Sequence, residues 1–163
     1  MFSNRYFSKK DNHEKQYFFL LFVLALLLAC NYKSEKSDAV NLKGTWQLLS
    51  ATTITKGVEK VTNYTQNQQM IKIINDTHFA FLNHHLNTAK DSSNHFDAGG
   101  EKYTLKGNQY VEHLDYYADK NWEGKMFNFT VTLKNDTLIQ KGIEKLEKEN
   151  IDRVIIEKYV RLK

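Results

Sequence analysis

Met126-Phe127-Asn128-Phe129-Thr130-Val131-Thr132-Leu133-Lys134-Asn135-Asp136-Thr137-Leu138-Ile139-Gln140-Lys141-Gly142-Ile143 is the stretch whose reading decides the fold. In its first half Phe127, Phe129, Val131 and Leu133 alternate with polar residues. A period of two places them on one face of an extended strand, because successive side chains of a strand point to opposite sides. Asn135-Asp136 is a turn pair, and a second strand-forming run, Thr137 to Ile143, follows it. The stretch therefore reads as an antiparallel hairpin with one buried face.

The same grammar extends in both directions. Thr45 to Thr55 reads as the first strand, with Trp46, Leu48 and Ser50 on one face, and Val58 to Asn63 answers it across Lys56-Gly57. Met70 to Ile74 and His78 to Leu82 flank Asn75-Asp76, so that Phe79 and Phe81 share a face. Tyr103 to Leu105 and Gln109 to Tyr117 flank Lys106-Gly107-Asn108. Arg153 to Leu162 is the last strand. Strands at this spacing, without a long amphipathic helix, predict an all-β domain of about eight strands. A short helix through Ile143 to Asn150 is the one rival assignment. No proline is present to blunt a sheet edge, which favours a closed antiparallel up-and-down barrel over an open sheet.

The N-terminal segment follows different rules. Tyr17 to Ala29 is an apolar run of 13 residues, and as a helix it would be roughly 20 Å long, short of the ~30 Å hydrocarbon core of a membrane. Arg5, Lys9, Lys10 and Lys15 precede it, against Asp11 and Glu14. A positive segment, an apolar run and a small residue before Cys30 together read as an export signal. Leu27-Leu28-Ala29-Cys30 resembles the lipobox of bacterial lipoproteins, in which the cysteine thiol is alkylated with diacylglycerol. Cys30 is the only cysteine, so no intramolecular disulfide is open to it. The expected organisation is a lipoprotein signal peptide over 1–29, a polar tether over 30–41 and a barrel domain over 42–163. Anchoring through acyl chains on Cys30 ties such a protein to a membrane without spanning it. Asn31 after the cysteine, where an aspartate would mark inner-membrane retention, points to the outer membrane. Losing residues 1–29 removes four basic and two acidic residues and takes the net charge from +4 to +2. No Lys/Arg cluster survives in the remainder, which argues against a nucleic-acid surface.

Gly44-Thr45-Trp46 resembles the G-x-W motif that opens the first strand of lipocalins, and Arg161 matches the arginine that packs across that tryptophan in the family. Gly99 to His113 and Glu157-Lys158-Tyr159-Val160-Arg161 are similar to lipocalin-like lipoproteins of the Bacteroidetes type, often with tryptophan in place of Tyr159. The resemblance covers residues 42–163 and implies a lipocalin-like, calycin-type barrel. It implies no activity.

Alternation places Tyr110, Glu112, Leu114 and Tyr116 on one face, and Glu157, Tyr159 and Arg161 on one face of the last strand. The expected barrel interior is therefore Trp46, Phe79, Phe81, Tyr103, Tyr110, Glu112, Tyr116, Phe127, Phe129, Tyr159 and Arg161. Buried charges among them must be paired. An aromatic-lined cavity with a few polar groups fits one small hydrophobic or amphipathic ligand. The alternative is a filled barrel, with an acid neutralising Arg161, that acts as a protein-interaction module through loops such as His84 to Asn94. His84 and His85 are adjacent, and the histidines show no ligand spacing, so no metal site or cofactor is expected. His113 and Asp115 share a face without a nucleophile motif, so no catalytic residue is assigned.

Overall fold

A computed structural model describes residues 40–86 and 96–163. The expected signal peptide, Cys30 and nearly all of the expected tether lie outside the described residues, as does most of the His84 to Asn94 stretch. The strands are β1 (Gly44–Thr55), β2 (Val58–Asn63), β3 (Gln68–Ile74), β4 (His78–His85), β5 (Phe96–Lys106), β6 (Gln109–Leu114), β7 (Tyr116–Tyr117), β8 (Lys125–Lys134), β9 (Thr137–Leu146) and β10 (Ile151–Arg161). All pairings are antiparallel, between strands adjacent or next but one in sequence, and β10 closes the sheet onto β1 from Trp46↔Arg161 to Ile54↔Val154.

Ten strands make eight staves. β2 and β3 run end to end along one side of β1, with Asn63 opposite Ser50 and Ile71 opposite Gln47. Likewise β6 and β7 run along one side of β5. The result is a closed eight-stranded up-and-down barrel, the all-β architecture that the sequence led us to expect.

Turn chemistry fixes the connections. Lys56 and Gly57 both take positive φ, the twist that a tight hairpin between right-handed strands demands. The Asn75 carboxamide oxygen accepts from the backbone N–H groups of Thr77 and His78, at 2.9 and 2.7 Å, and so closes the β3–β4 turn. Asn135 opens the β8–β9 turn at φ 53°.

One barrel end is packed shut by Leu42, Trp46, Leu48, Val131, Leu138 and Tyr159, each at most 2% exposed. The Trp46 indole N–H donates to the Leu42 carbonyl at 2.8 Å, and the Arg161 guanidinium lies 4.0 Å from the centroid of the Trp46 ring. Arg161 also donates to the Lys43 carbonyl and, at 3.1 Å, to that of Asn41. Gly44 has φ 134°, and a Cβ there would sit 2.6 Å from Nη1 of Arg161. Glycine at this position is thus a steric condition for the arginine to cover the tryptophan.

Three expectations need correction, and one rival assignment fails. In β1 the pairing with β10 shifts between Leu48 and Ser50, so that Ala51, not Ser50, is the residue buried after Leu48. Pairing with β5 shifts by one residue between β6 and β7, at Asp115. Tyr116 is consequently turned outward, 70% exposed, and Tyr117 takes the inner position. Both are bulges, in which one extra residue reverses the alternation of everything after it. The Ile143 to Asn150 helix does not form: β9 continues to Leu146, held by its ladder with β10, and only Glu147–Glu149 make a 3₁₀ turn. β5 also begins earlier than Tyr103. Gly99 and Gly100 weaken the strand signal, yet they are what lets neighbouring groups approach: a Cβ on Gly99 would lie 2.9 Å from the Phe81 ring.

Candidate functional site

The barrel interior changes character along its axis. Above the apolar closed end lies a layer of buried polar side chains carried by three strands. Lys72 of β3 is 2% exposed, and its ammonium meets Glu112 of β6 at 2.6 Å and Gln140 of β9 at 3.2 Å. Gln140 donates back to Glu112 at 3.4 Å. The Lys72 ammonium also lies 5.2 Å from the Tyr159 ring and 5.6 Å from the Phe79 ring, within cation–π range. A lysine is held here because its charge is paired, hydrogen-bonded and faced by two aromatic rings.

Glu157 of β10 is buried in the same region, 9% exposed, with no cation within ion-pair distance among the described residues. Burial pushes its carboxyl up to about 7, and the charges of Glu112 and Glu144 push the same way against the pull of Lys72. The hydroxyls of Tyr110 and Tyr159 are buried beside Glu112 and Glu157, but neither meets hydrogen-bonding geometry. Burial, then those carboxylates, hold both phenols well above their ordinary range.

Between this layer and the opposite end is a cavity of about 220 Å³. Its aromatic wall includes Phe81, Tyr117, Trp122, Phe127 and Phe129. Trp122 stacks at 5.6 Å on Phe127 and meets the edge of Tyr117 at 6.3 Å, and Phe81 lies 5.8 Å from Tyr117. The polar wall carries Lys72, Glu112 and Glu157 from the central layer. Nearer the rim it carries Asp97, Glu144 and Arg153. Glu144 and Arg153 pair at 2.6 Å, and burial raises the Glu144 carboxyl in spite of that partner. The Tyr117 hydroxyl donates to Asp97 at 3.0 Å, which together with burial keeps the phenol protonated well past its usual range.

Of the residues that alternation placed inside, Phe81, Glu112, Phe127 and Phe129 line this cavity. Trp46, Phe79, Tyr110 and Tyr159 are buried in the core, and Tyr103 packs on Tyr110 at 5.2 Å and donates to the Asn75 carbonyl at 2.8 Å. Arg161 belongs to the closed end: its partners are backbone carbonyls and the Trp46 ring, with Asp136 at 3.8 Å, and neither Glu112 nor Glu157 neutralises it. Tyr116 is on the outer wall. Lys72 and Gln140 were legible in principle, since each alternates with inward apolar neighbours, Met70 and Ile74 or Leu138. Trp122 sits in an irregular connection with no periodicity to expose it, and Asp97 opens a strand whose start the glycines obscure.

A larger recess of about 820 Å³ lies on the outer wall. Between β8 and β9 the ladder begins at Phe129↔Gly142, and the flanking Lys125, Met126, Ile143 and Lys145 border an open depression. A methyl at Gly142 would come within 2.5 Å of the Phe129 ring, so this glycine is what lets the ring fold inward.

No family model and no curated protein matches this sequence. Among solved structures, a lipocalin-like protein from Bacteroides uniformis is similar at a TM-score of 0.46 and 19% identity, over 74% of this chain and 98% of that one.

Proposed function

We propose that this is a lipid-anchored envelope protein, tied to the outer membrane through Cys30, whose barrel binds a small amphipathic ligand without catalysis. The observation that carries the ligand reading is the cavity beneath the barrel rim, aromatic on one side and charged on the other. At about 220 Å³ it is below the ~300–1,000 Å³ of sites for drug-sized molecules, so its ligand is small, and a long acyl chain does not fit. The sealed opposite end makes the barrel a cup rather than a channel. Mass spectrometry of an organic extract of natively purified protein should return a stoichiometric small molecule. A clean extract, with no uptake from a metabolite mixture, would remove the reading.

The anchor is supported by the sequence around Cys30 and is tested separately. Cys30→Ser should abolish labelling by radioactive fatty acid and move the protein to the soluble fraction; labelling that persists would overturn it.

A second reading, a protein-interaction module, is favoured by one feature of the outer wall. Across β3, β4, β5 and β7, the exposed Ile73, Leu82 and Tyr116 surround Ala80, Ala98 and Gly100 in one apolar patch.

A further inference from the structure

The charges of the rim cavity do not balance. Four acids line it, Asp97, Glu112, Glu144 and Glu157, against two bases, Lys72 and Arg153. Lys72 is engaged by Glu112 at 2.6 Å and Arg153 by Glu144 at 2.6 Å. Two carboxylates are left without a cation among the described residues. Among the described residues Asp97 accepts only from the neutral Tyr117 hydroxyl, and Glu157, more than nine-tenths buried and bordering the cavity, has no ion-pair partner. A buried carboxylate without its own cation costs several kcal/mol, and Lys72, already engaged by Glu112, offsets it only in part.

Resting on the ligand-binding reading above, we propose that the cavity takes a small organic cation, an amine or quaternary ammonium, held by the Glu157 and Asp97 carboxylates against the aromatic wall. Both halves of the wall select for it. An ammonium supplies the charge that the carboxylates lack, and its alkyl groups sit against Trp122, Tyr117 and Phe127, whose π faces attract a cation. A carboxylate-bearing ligand would add a like charge to a site already in excess. A neutral one would leave Glu157 uncompensated. A bare metal ion is disfavoured by geometry, since among the described residues no three His, Cys, Asp or Glu side chains converge closely enough to hold one.

The test is calorimetry on the full chain in nonionic detergent at pH 8 with two isosteric trios. The first is choline, 3,3-dimethyl-1-butanol and 3,3-dimethylbutyrate; the second is 2-phenylethylamine, 2-phenylethanol and phenylacetate. In at least one trio the cation should bind tenfold or more tighter than the alcohol, and the anion weakest. Glu157→Gln should cut the affinity for the cation at least tenfold and leave that for the alcohol unchanged, which also certifies that the variant is folded. Asp97→Asn, nearer the rim, should act in the same direction. Alcohols that bind as tightly as the cations would overturn the cation assignment and leave a ligand-binding barrel standing. No binding by any of the six would overturn both.

Discussion

Arg161 shows how one side chain can seal a barrel. Its guanidinium covers the Trp46 ring at 4.0 Å while donating to the carbonyls of Lys43 and Asn41, which precede β1. The last strand thereby fastens the chain just before the first. Truncating it removes a cation–π contact and leaves two carbonyls short of a charged donor, each loss being worth about 1 kcal/mol or more. Arg161→Ala should therefore cost roughly 1–3 kcal/mol in urea unfolding and should red-shift the emission of Trp46 as water reaches the indole. Unchanged emission and stability would show that the arginine is ornamental. The first and last motifs of the sequence thus have a joint physical meaning: Gly44 leaves the space, Trp46 fills the barrel floor and Arg161 closes over it.

At the scale of elements, the hairpins were legible because turn residues and alternation agree. Asn75-Asp76, Lys106-Gly107-Asn108 and Asn135-Asp136 each join the strands that flank them in the sequence. What alternation missed lies after the bulges, since a bulge has no signature in the hydrophobic pattern and reverses every residue beyond it. Tyr116 and Tyr117 make this measurable. Tyr117 contacts Phe81, Trp122 and Asp97, whereas Tyr116 is 70% exposed on the outer wall. Tyr117→Ala should destabilise by roughly 2–4 kcal/mol, the range for removing a packed ring, and Tyr116→Ala by no more than ~0.5 kcal/mol. Equal effects, or the reverse order, would mean that the strand runs through Asp115 without a bulge. The rival helix over Ile143 to Asn150 failed for a related reason. Its residues suit either state locally, and the ladder with β10, a partner that local pattern does not reveal, decided for the strand.

The barrel as a whole is a cup whose floor is apolar and whose middle carries charge, and that arrangement couples its stability to pH. The floor was readable from Trp46, Tyr159 and the alternating strands. The contacts within the polar layer were not, because Lys72, Glu112 and Gln140 come from strands far apart in sequence and only barrel closure brings them together. Glu157 is the member of this region whose charge is least compensated. Around it stand Lys72, Glu112, Glu144 and Tyr159, and burial raises its carboxyl from 4.5 to about 7. The folded state therefore holds a proton that the unfolded chain has already released, and stability must fall as pH rises from about 4.5 to about 7 and level off above. Glu144, raised in the same direction, adds to that slope. At 1.36 kcal/mol per pH unit the Glu157 contribution is on the order of 3 kcal/mol. Glutamine mimics the protonated acid at all pH values, so Glu157→Gln should match the wild type near pH 4.5, exceed its stability by roughly 2–4 kcal/mol at pH 8, and flatten most of the slope between. Denaturant midpoints measured across this range decide it: parallel wild-type and Glu157→Gln curves would mean that Glu157 keeps its charge in the fold with a partner that compensates it.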